Sequence, residues 1–266
     1  MDKRKTFLLA VFVPLGVALV VAGAVVCKKS NIFHSSSVPS ANELRRVIFK
    51  TNGKITPAWL AHELHIRKGT DLFSLDISSL RERLETISQI RNVFIEKRYP
   101  DALYVKINEC VPMLKLIANI GGEKKLLLVD KEDGRIFSPI CYGREDVLDL
   151  LPVNLTLKTK NNLQFLPQAG MSIVGELIGT LKDEFPDIFS SIKFLDLRNY
   201  DHRPDAIWST VELHLKNGIV VVLKPQNFHL QLMKLDYLIN EKCKHNLHRI
   251  KKITISSSDN AILEYK

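Results

Sequence analysis

Residues 55–112 decide the fold of this chain, and they read ITPAWLAHELHIRKGTDLFSLDISSLRERLETISQIRNVFIEKRYPDALYVKINECVP. Thr56 followed by Pro57 predicts a helix start, because threonine caps free N–H groups and proline tolerates the first helical position. Gly69 interrupts the chain, and three apolar residues with helical spacing then predict a second helix: Leu80, Leu84 and Ile87.

After the second helix the apolar period changes from helical spacing to alternation. Leu103, Val105 and Ile107 alternate with polar neighbours, which is typical of a strand with one buried face. Tyr99-Pro100-Asp101 predicts the turn before this strand, and residues 44–50 predict a first strand rich in β-formers. The order β-α-α-β-β places two helices on one face of a three-stranded sheet.

This stretch resembles a POTRA domain, the polypeptide-transport-associated module, and more narrowly the membrane-proximal domain of the FtsQ/DivIB bacterial division proteins. The resemblance is carried by Gly69, Leu72, Phe73, Leu75, Asp76, Val93, Arg98, Tyr99, Pro100, Leu103, Val105, Ile107, Glu109 and Pro112. We expect a positive φ at Gly69, Phe73 in the core beneath the helices, and Pro112 at the end of the last strand. The POTRA domain is predicted over residues 43–112.

The remainder, residues 113–266, predicts a mixed β-sheet domain with flanking helices, so that the fold class is α+β. Its hairpin sequence LLVDKEDGRIF and its strand and helix order resemble the β domain of the same family. Asn217-Gly218 predicts a tight hairpin turn, and a late helix is predicted over residues 228–244. The match is looser here: Leu223-Lys224-Pro225 stands where the family often has Leu-Gly.

The first residues predict a membrane segment. Residues 7–27 carry no charge and are flanked by basic residues, and about 20 apolar residues span a bilayer. This gives a cytoplasmic tail at residues 1–6, a transmembrane helix at 7–27 and a linker at 28–42. A cleaved signal peptide, with Ala22-Gly23-Ala24 as the cleavage site, is the open alternative. A lipoprotein is disfavoured because Val26 lies directly before Cys27, where a lipoprotein would need a small residue.

The composition and motifs point away from catalysis. The net charge is +9, but five basic residues lie in the first 29 residues and the rest are scattered, which disfavours a nucleic-acid surface. His62-Glu63-Leu64-His65 lacks the spacing of a zinc helix, so neither a metal nor a cofactor is expected. Besides Cys27, the chain has three cysteines: Cys110, Cys141 and Cys243. They do not indicate a disulfide framework, although one disulfide bond between two of them stays an open alternative.

The family resemblance implies a non-enzymatic scaffold in the bacterial cytoplasmic membrane, with its body outside the membrane at the division septum. It implies partners that are bitopic coiled-coil division proteins, with no small-molecule substrate. A POTRA-type assembly factor for outer-membrane or secreted proteins is the alternative, and an anchored enzyme is a weaker one. An unpaired sheet edge can bind a partner strand. The predicted contacts are Ile262, Leu263, Glu264 and Tyr265 in the last strand, with Arg198 and Tyr200 as secondary contacts.

Overall fold

In a computed structural model, the described residues are 42–160, 164–201, 203, 206, 208–243, 246–255 and 260–266. The predicted tail and transmembrane helix, and all of the predicted linker except its last residue, lie outside these ranges. Within them, no helix has both the length and the apolar character needed to cross a bilayer.

The first domain is a three-stranded sheet with two helices. Its elements are β1 (Arg46–Thr51), α1 (Pro57–Leu64), α2 (Ile77–Glu85), β2 (Ile90–Arg98) and β3 (Ala102–Glu109). The strand order is β1-β3-β2, with β1 parallel and β2 antiparallel to the central β3. This is the predicted β-α-α-β-β arrangement.

Local capping explains where the two helices begin. The hydroxyl of Thr56 accepts the backbone N–H of Trp59 at 3.2 Å, and Asp76 accepts the N–H groups of Ser78 and Ser79. The predicted alternation in β3 is confirmed, since its apolar residues are buried. The core of this domain comprises Leu44, Ile55, Leu60, Leu64, Leu72, Leu84, Ile90, Val93, Leu103, Val105 and Ile107.

Two expectations for this domain were wrong. Leu72 is fully buried, whereas Phe73 is 62% exposed and packs on Tyr99, with ring centroids 5.0 Å apart. The backbone N–H of Leu72 bonds to the carbonyl of Asn42, and this anchoring directs Leu72 inward and its neighbour outward. Pro112 begins the next strand rather than ending β3, which stops at Glu109.

The second domain is built on a nine-stranded mixed sheet with helices beside it. Its strands are β4 (Pro112–Ile120), β5 (Glu123–Asp130), β6 (Ile136–Phe137), β7 (Leu151–Asn154), β10 (Ile192–Asp196), β11 (Val211–Leu215), β12 (Val220–Leu223), β13 (Ile250–Ile255) and β14 (Ala261–Tyr265). A separate two-stranded antiparallel sheet pairs β8 (Thr159–Lys160) with β9 (Gln164–Phe165). The strand order is β14-β13-β12-β11-β10-β7-β4-β5-β6.

Four α-helices accompany this sheet in the described part of the chain: α3 (Arg144–Leu148), α4 (Met171–Glu184), α5 (Pro186–Ser191) and α6 (Phe228–Tyr237). The predicted late helix is shorter than expected, since α6 ends at Tyr237 and a π-helical turn covers Leu238–Lys242. Apolar residues of α4 and α6, such as Leu177 and Leu232, are fully buried against the sheet. The sheet therefore has its main core on the face that carries α4 and α6.

The two sheets meet at a polar joint within the compact unit Ala41–Lys266. The amide of Gln89, fully buried, accepts the backbone N–H of Ile140 and donates to the carboxylate of Glu109 at 2.7 Å. The guanidinium of Arg91 donates to the buried carboxylate of Asp130 at 2.6 Å. The joint lies at the end of the first sheet that is opposite to residues 42–46.

Candidate interaction surface at the last strand

The last strand, β14, lies at the edge of the nine-stranded sheet. It pairs antiparallel with β13 on one side, and among the described residues no strand pairs with its other side. In an antiparallel strand, alternate residues direct their N–H and C=O groups to opposite neighbours. About half of the backbone groups of β14 are therefore directed away from the sheet, where a partner strand can bind them.

One face of β14 belongs to the core. Residues in register across neighbouring strands point to the same face of a sheet. One such row runs from the middle of the sheet to its edge and contains Leu195, Leu213, Val221, Ile253 and Leu263. The first four are fully buried, and Leu263 is partly buried against the same core. Leu263 thus extends the apolar core to the edge.

The opposite face of β14 is open to solvent. A second row contains Asp196, Glu212, Val222, Thr254 and Ile262. Ile262 is 64% exposed at the end of this row, and Glu264 lies beside Lys252 on the same face. Tyr265 is also exposed. The edge strand therefore presents an apolar side chain on each face, Leu263 on the core face and Ile262 on the open face, together with the carboxylate of Glu264.

The secondary residues Arg198 and Tyr200 lie elsewhere. They follow β10, which is four strands from β14, or about 19 Å at the usual strand spacing. The Tyr200 hydroxyl donates to the carbonyl of Gly170 at 2.7 Å, and burial raises the pKa of this hydroxyl to about 12. The structure does not bring Arg198 and Tyr200 together with the residues of β14.

Arg198 is held by a buried carboxylate. Its Nε and Nη2 donate to the two oxygens of Asp196 at 2.5–3.0 Å, while its side chain stays 64% exposed. Burial acts to raise the pKa of Asp196, but the hydrogen bonds and charge of Arg198 outweigh it and lower the pKa below its usual value.

Sequence reasoning missed a polar cluster beside this pair. Asp196, Glu212 and His214 each place a potential ligand atom within 4.8 Å of the others, and the ring of His214 stacks on Phe194. Among the described residues, the Nε2 atom of His214 has no hydrogen-bond partner. The guanidinium of Arg198 already occupies the Asp196 carboxylate, so this carboxylate is less available to a second cation. No spacing in the sequence indicated it, because the residues come from two strands.

Sequence reasoning also missed Trp208. This residue lies in the connection before β11 and is 89% exposed. It lines a cavity of about 560 Å³ together with Asn199, Asp201 and Thr210. The exposed tryptophan, beside the polar residues Asn199 and Asp201, makes this connection a second polar and aromatic surface of the domain.

The fold and the open edge define a class of protein: a POTRA domain followed by a second domain whose large mixed sheet ends in an exposed strand. The family model described as POTRA domain, FtsQ-type, matches residues 42–109. The chain is also 22% identical over 210 residues to Cell division protein FtsQ of Rickettsia bellii (strain RML369-C), covering 79% of this chain and 67% of that protein. Together these similarities support an FtsQ/DivIB-type protein.

Proposed function

We propose that this protein acts in bacterial cell division as a non-enzymatic scaffold. Two observations support this proposal: the FtsQ-type POTRA domain, and the similarity of most of the chain to a protein named for cell division. The proposed layout is a cytoplasmic tail at residues 1–6, a span of the cytoplasmic membrane at 7–27, a linker at 28–42, the POTRA domain at 43–112 and the β domain at 113–266. The body stands outside the membrane, at the septum.

The proposed activity is binding of other division proteins, in particular small bitopic coiled-coil proteins, which links them to septal wall synthesis. The observation that carries the binding mode is the edge position of β14. A partner segment adds to this edge as a further strand and pairs with the outward backbone groups of Ile262, Leu263, Glu264 and Tyr265. Arg198 and Tyr200 are proposed as secondary contacts.

The side chains of β14 restrict which segment can bind. A residue that lies beside Leu263 on the core face must be apolar, because it extends a row of buried aliphatic side chains. A residue beside Glu264 is best a lysine or arginine, since opposite charges on neighbouring strands stabilise the pair by about 0.2–1 kcal/mol. The proposed partner segment is therefore extended, with alternating apolar and basic residues.

In-cell photo-crosslinking tests this proposal. A photoreactive residue is placed in turn at Ile262, Leu263 and Glu264 of the full chain, and the captured proteins are identified. Lys106 is the matched control, because its side chain is exposed but its strand pairs on both sides, with β1 and with β2. We expect capture of a small bitopic coiled-coil protein from the β14 positions and none from Lys106.

Other outcomes would contradict the proposal. Capture of outer-membrane or secreted proteins would favour the alternative, an assembly factor of the POTRA type. Absence of capture from all three positions, in cells that contain the stable protein, would exclude the edge as the binding site. Equal capture from Lys106 would mean that the crosslinks report proximity rather than strand addition.

A further inference from the structure

One end of the POTRA domain is formed by three segments that are tied together by backbone hydrogen bonds. We call residues 42–46, 67–73 and 97–101 the POTRA tip. The N–H of Leu44 donates to the carbonyl of Thr70 at 2.8 Å, and the N–H of Arg45 donates to the carbonyl of Asp101 at 2.9 Å. The tip is the end at which the described chain begins, and the joint with the second sheet lies at the other end of β1 and β3.

Two aromatic rings that pack on each other are exposed at the tip. Phe73 is 62% exposed and Tyr99 is 53% exposed. The amine of Lys97 donates to the carbonyl of Phe73 at 3.1 Å, which ties the loop that carries this ring to the end of β2. The pair contributes little to the core, so core packing does not explain why two large rings occupy this position.

The tip also carries an excess of positive charge. Its basic residues are Arg45, Arg46, Arg67, Lys68, Lys97 and Arg98, and its acidic residues are Glu43, Asp71 and Asp101. Arg46 pairs with Asp101, and Arg98 pairs with Glu96. Within the described residues, no ion pair involves the side chains of Arg45, Arg67 and Lys68, all of which are exposed. These three charges are available to an anionic surface.

We infer that the POTRA tip docks on the anionic phospholipid surface of the membrane that anchors the chain. Exposed aromatic rings surrounded by lysine and arginine match the polar-apolar boundary of a bilayer with acidic headgroups. Fourteen residues, 28–41, separate the predicted span from the tip, and such a segment reaches at most about 50 Å even when fully extended. This inference rests on the proposed anchorage by residues 7–27.

Docking fixes the orientation of the protein above the membrane. The tip contacts the headgroups at one end of the POTRA domain, whereas the second sheet joins the domain at the opposite end. The edge strand β14 belongs to that second sheet and not to the tip, so docking leaves it open to the extracytoplasmic part of a bitopic partner. The tip thus positions the binding edge and contributes no partner contact itself.

The test uses the full chain in lipid nanodiscs, with Phe73→Trp as a fluorescent probe at the tip. Nanodiscs contain either phosphatidylcholine alone or phosphatidylcholine with about 30% phosphatidylglycerol, each with brominated lipid as the quencher. The wild-type chain, with Trp59 and Trp208, gives the background quenching. We expect the probe to be quenched at least about twofold more than this background in anionic discs, with loss of the excess near 1 M salt, where screening is strong.

Two matched pairs of charge reversals locate the docking surface. Arg67→Glu with Lys68→Glu reverses two charges at the tip, and each basic residue near an anionic surface favours association about fivefold. The tip pair should therefore remove the excess quenching. Lys50→Glu with Lys106→Glu makes the same change on the exposed face of the POTRA sheet, away from the tip. This control pair should change the excess quenching by less than about one third.

Each remaining outcome overturns the inference in a recognisable way. A chain that does not remain in the discs after detergent removal disproves the anchorage, and the docking falls with it. A chain that remains in the discs without excess quenching disproves the docking alone. Equal quenching in neutral discs, or equal loss with both pairs of reversals, excludes recognition of acidic headgroups by the tip. A spectral change of the probe with soluble polyglutamate, without lipid quenching, would assign the tip to an acidic protein.

Discussion

Replacing Asp130 with asparagine should uncouple the two sheets and destabilise the protein. The Asp130 side chain is fully buried at the start of the turn after β5. One oxygen accepts the backbone N–H of Val111 at 2.7 Å, and the other accepts the N–H groups of Glu132 and Asp133 as well as the guanidinium of Arg91. Asparagine has the same shape but replaces one of these acceptors with an NH₂ donor.

The size of the effect follows from the number of lost bonds. In the better of its two amide orientations, the asparagine side chain places its oxygen beside Arg91. Its NH₂ group then faces the backbone N–H of Val111, which is also a donor. A buried donor without an acceptor costs about 1–3 kcal/mol, and the charge that pairs with Arg91 is lost as well. We therefore expect Asp130→Asn to lower the free energy of unfolding by about 2–4 kcal/mol at pH 7.

The effect should depend on pH in a defined direction. Burial acts to raise the pKa of Asp130, but the hydrogen bonds from backbone N–H groups outweigh burial and lower the pKa below its usual value of 3.8. The stabilisation by the ionised carboxylate is therefore complete above about pH 4 to 5 and declines as the pH falls through the lowered pKa. The difference between the wild type and the variant should shrink at pH 2 to 3.

Urea unfolding of residues 42–266, followed by far-ultraviolet circular dichroism, measures these free energies. Glu132→Gln is the matched control, because Glu132 pairs with the same Arg91 but is 65% exposed, so its loss should cost less than about 1 kcal/mol. A loss below about 0.5 kcal/mol for Asp130→Asn would refute the reasoning. So would a difference that grows as the pH falls.

Three further substitutions test single features of the fold by the same unfolding measurement. Gly134→Ala should cost about 3 kcal/mol or more, since its φ is +69° and an added Cβ would overlap the carbonyl oxygen of Gln168; a cost below 1 kcal/mol would contradict this. Thr56→Ala removes the cap of α1 and should cost about 1 kcal/mol, while Thr56→Ser should cost much less. Tyr200→Phe removes the hydrogen bond to Gly170 and should cost about 1 kcal/mol. If Tyr200→Phe instead leaves stability unchanged but weakens partner capture, the hydroxyl acts in binding rather than in the fold.

The POTRA fold could be predicted from the sequence because its signals are local. Thr56 and Asp76 cap helices through hydrogen bonds to residues two or three positions away, and the alternation of Leu103, Val105 and Ile107 assigns the buried face of one strand. Phe73 was misplaced because hydrophobicity alone does not distinguish it from the adjacent Leu72. A hydrogen bond between Leu72 and Asn42, 30 positions apart, decided which of the two points inward.

The second domain could be predicted as a set of elements but not as an order of strands. Asn217-Gly218 correctly indicated a hairpin, since a two-residue turn fixes which strands pair. The pairing of β12 with β13, and of β10 with β7, joins strands that are far apart in sequence and parallel to each other. Such pairs leave no local signal, because each strand is only an apolar run.

The candidate site shows the same division between local and long-range information. Local signals in the sequence were enough to predict that residues 261–265 form a strand and that the POTRA elements follow one another in a specific order, because propensity, capping and periodicity act over a few residues. Three properties became visible only in the folded chain: β14 is an edge, Asp196 lies beside Glu212 and His214 of the neighbouring strand, and Phe73 joins Tyr99 at an exposed tip. Those properties depend on which distant segments occupy neighbouring positions, and that is set by the packing of the whole sheet.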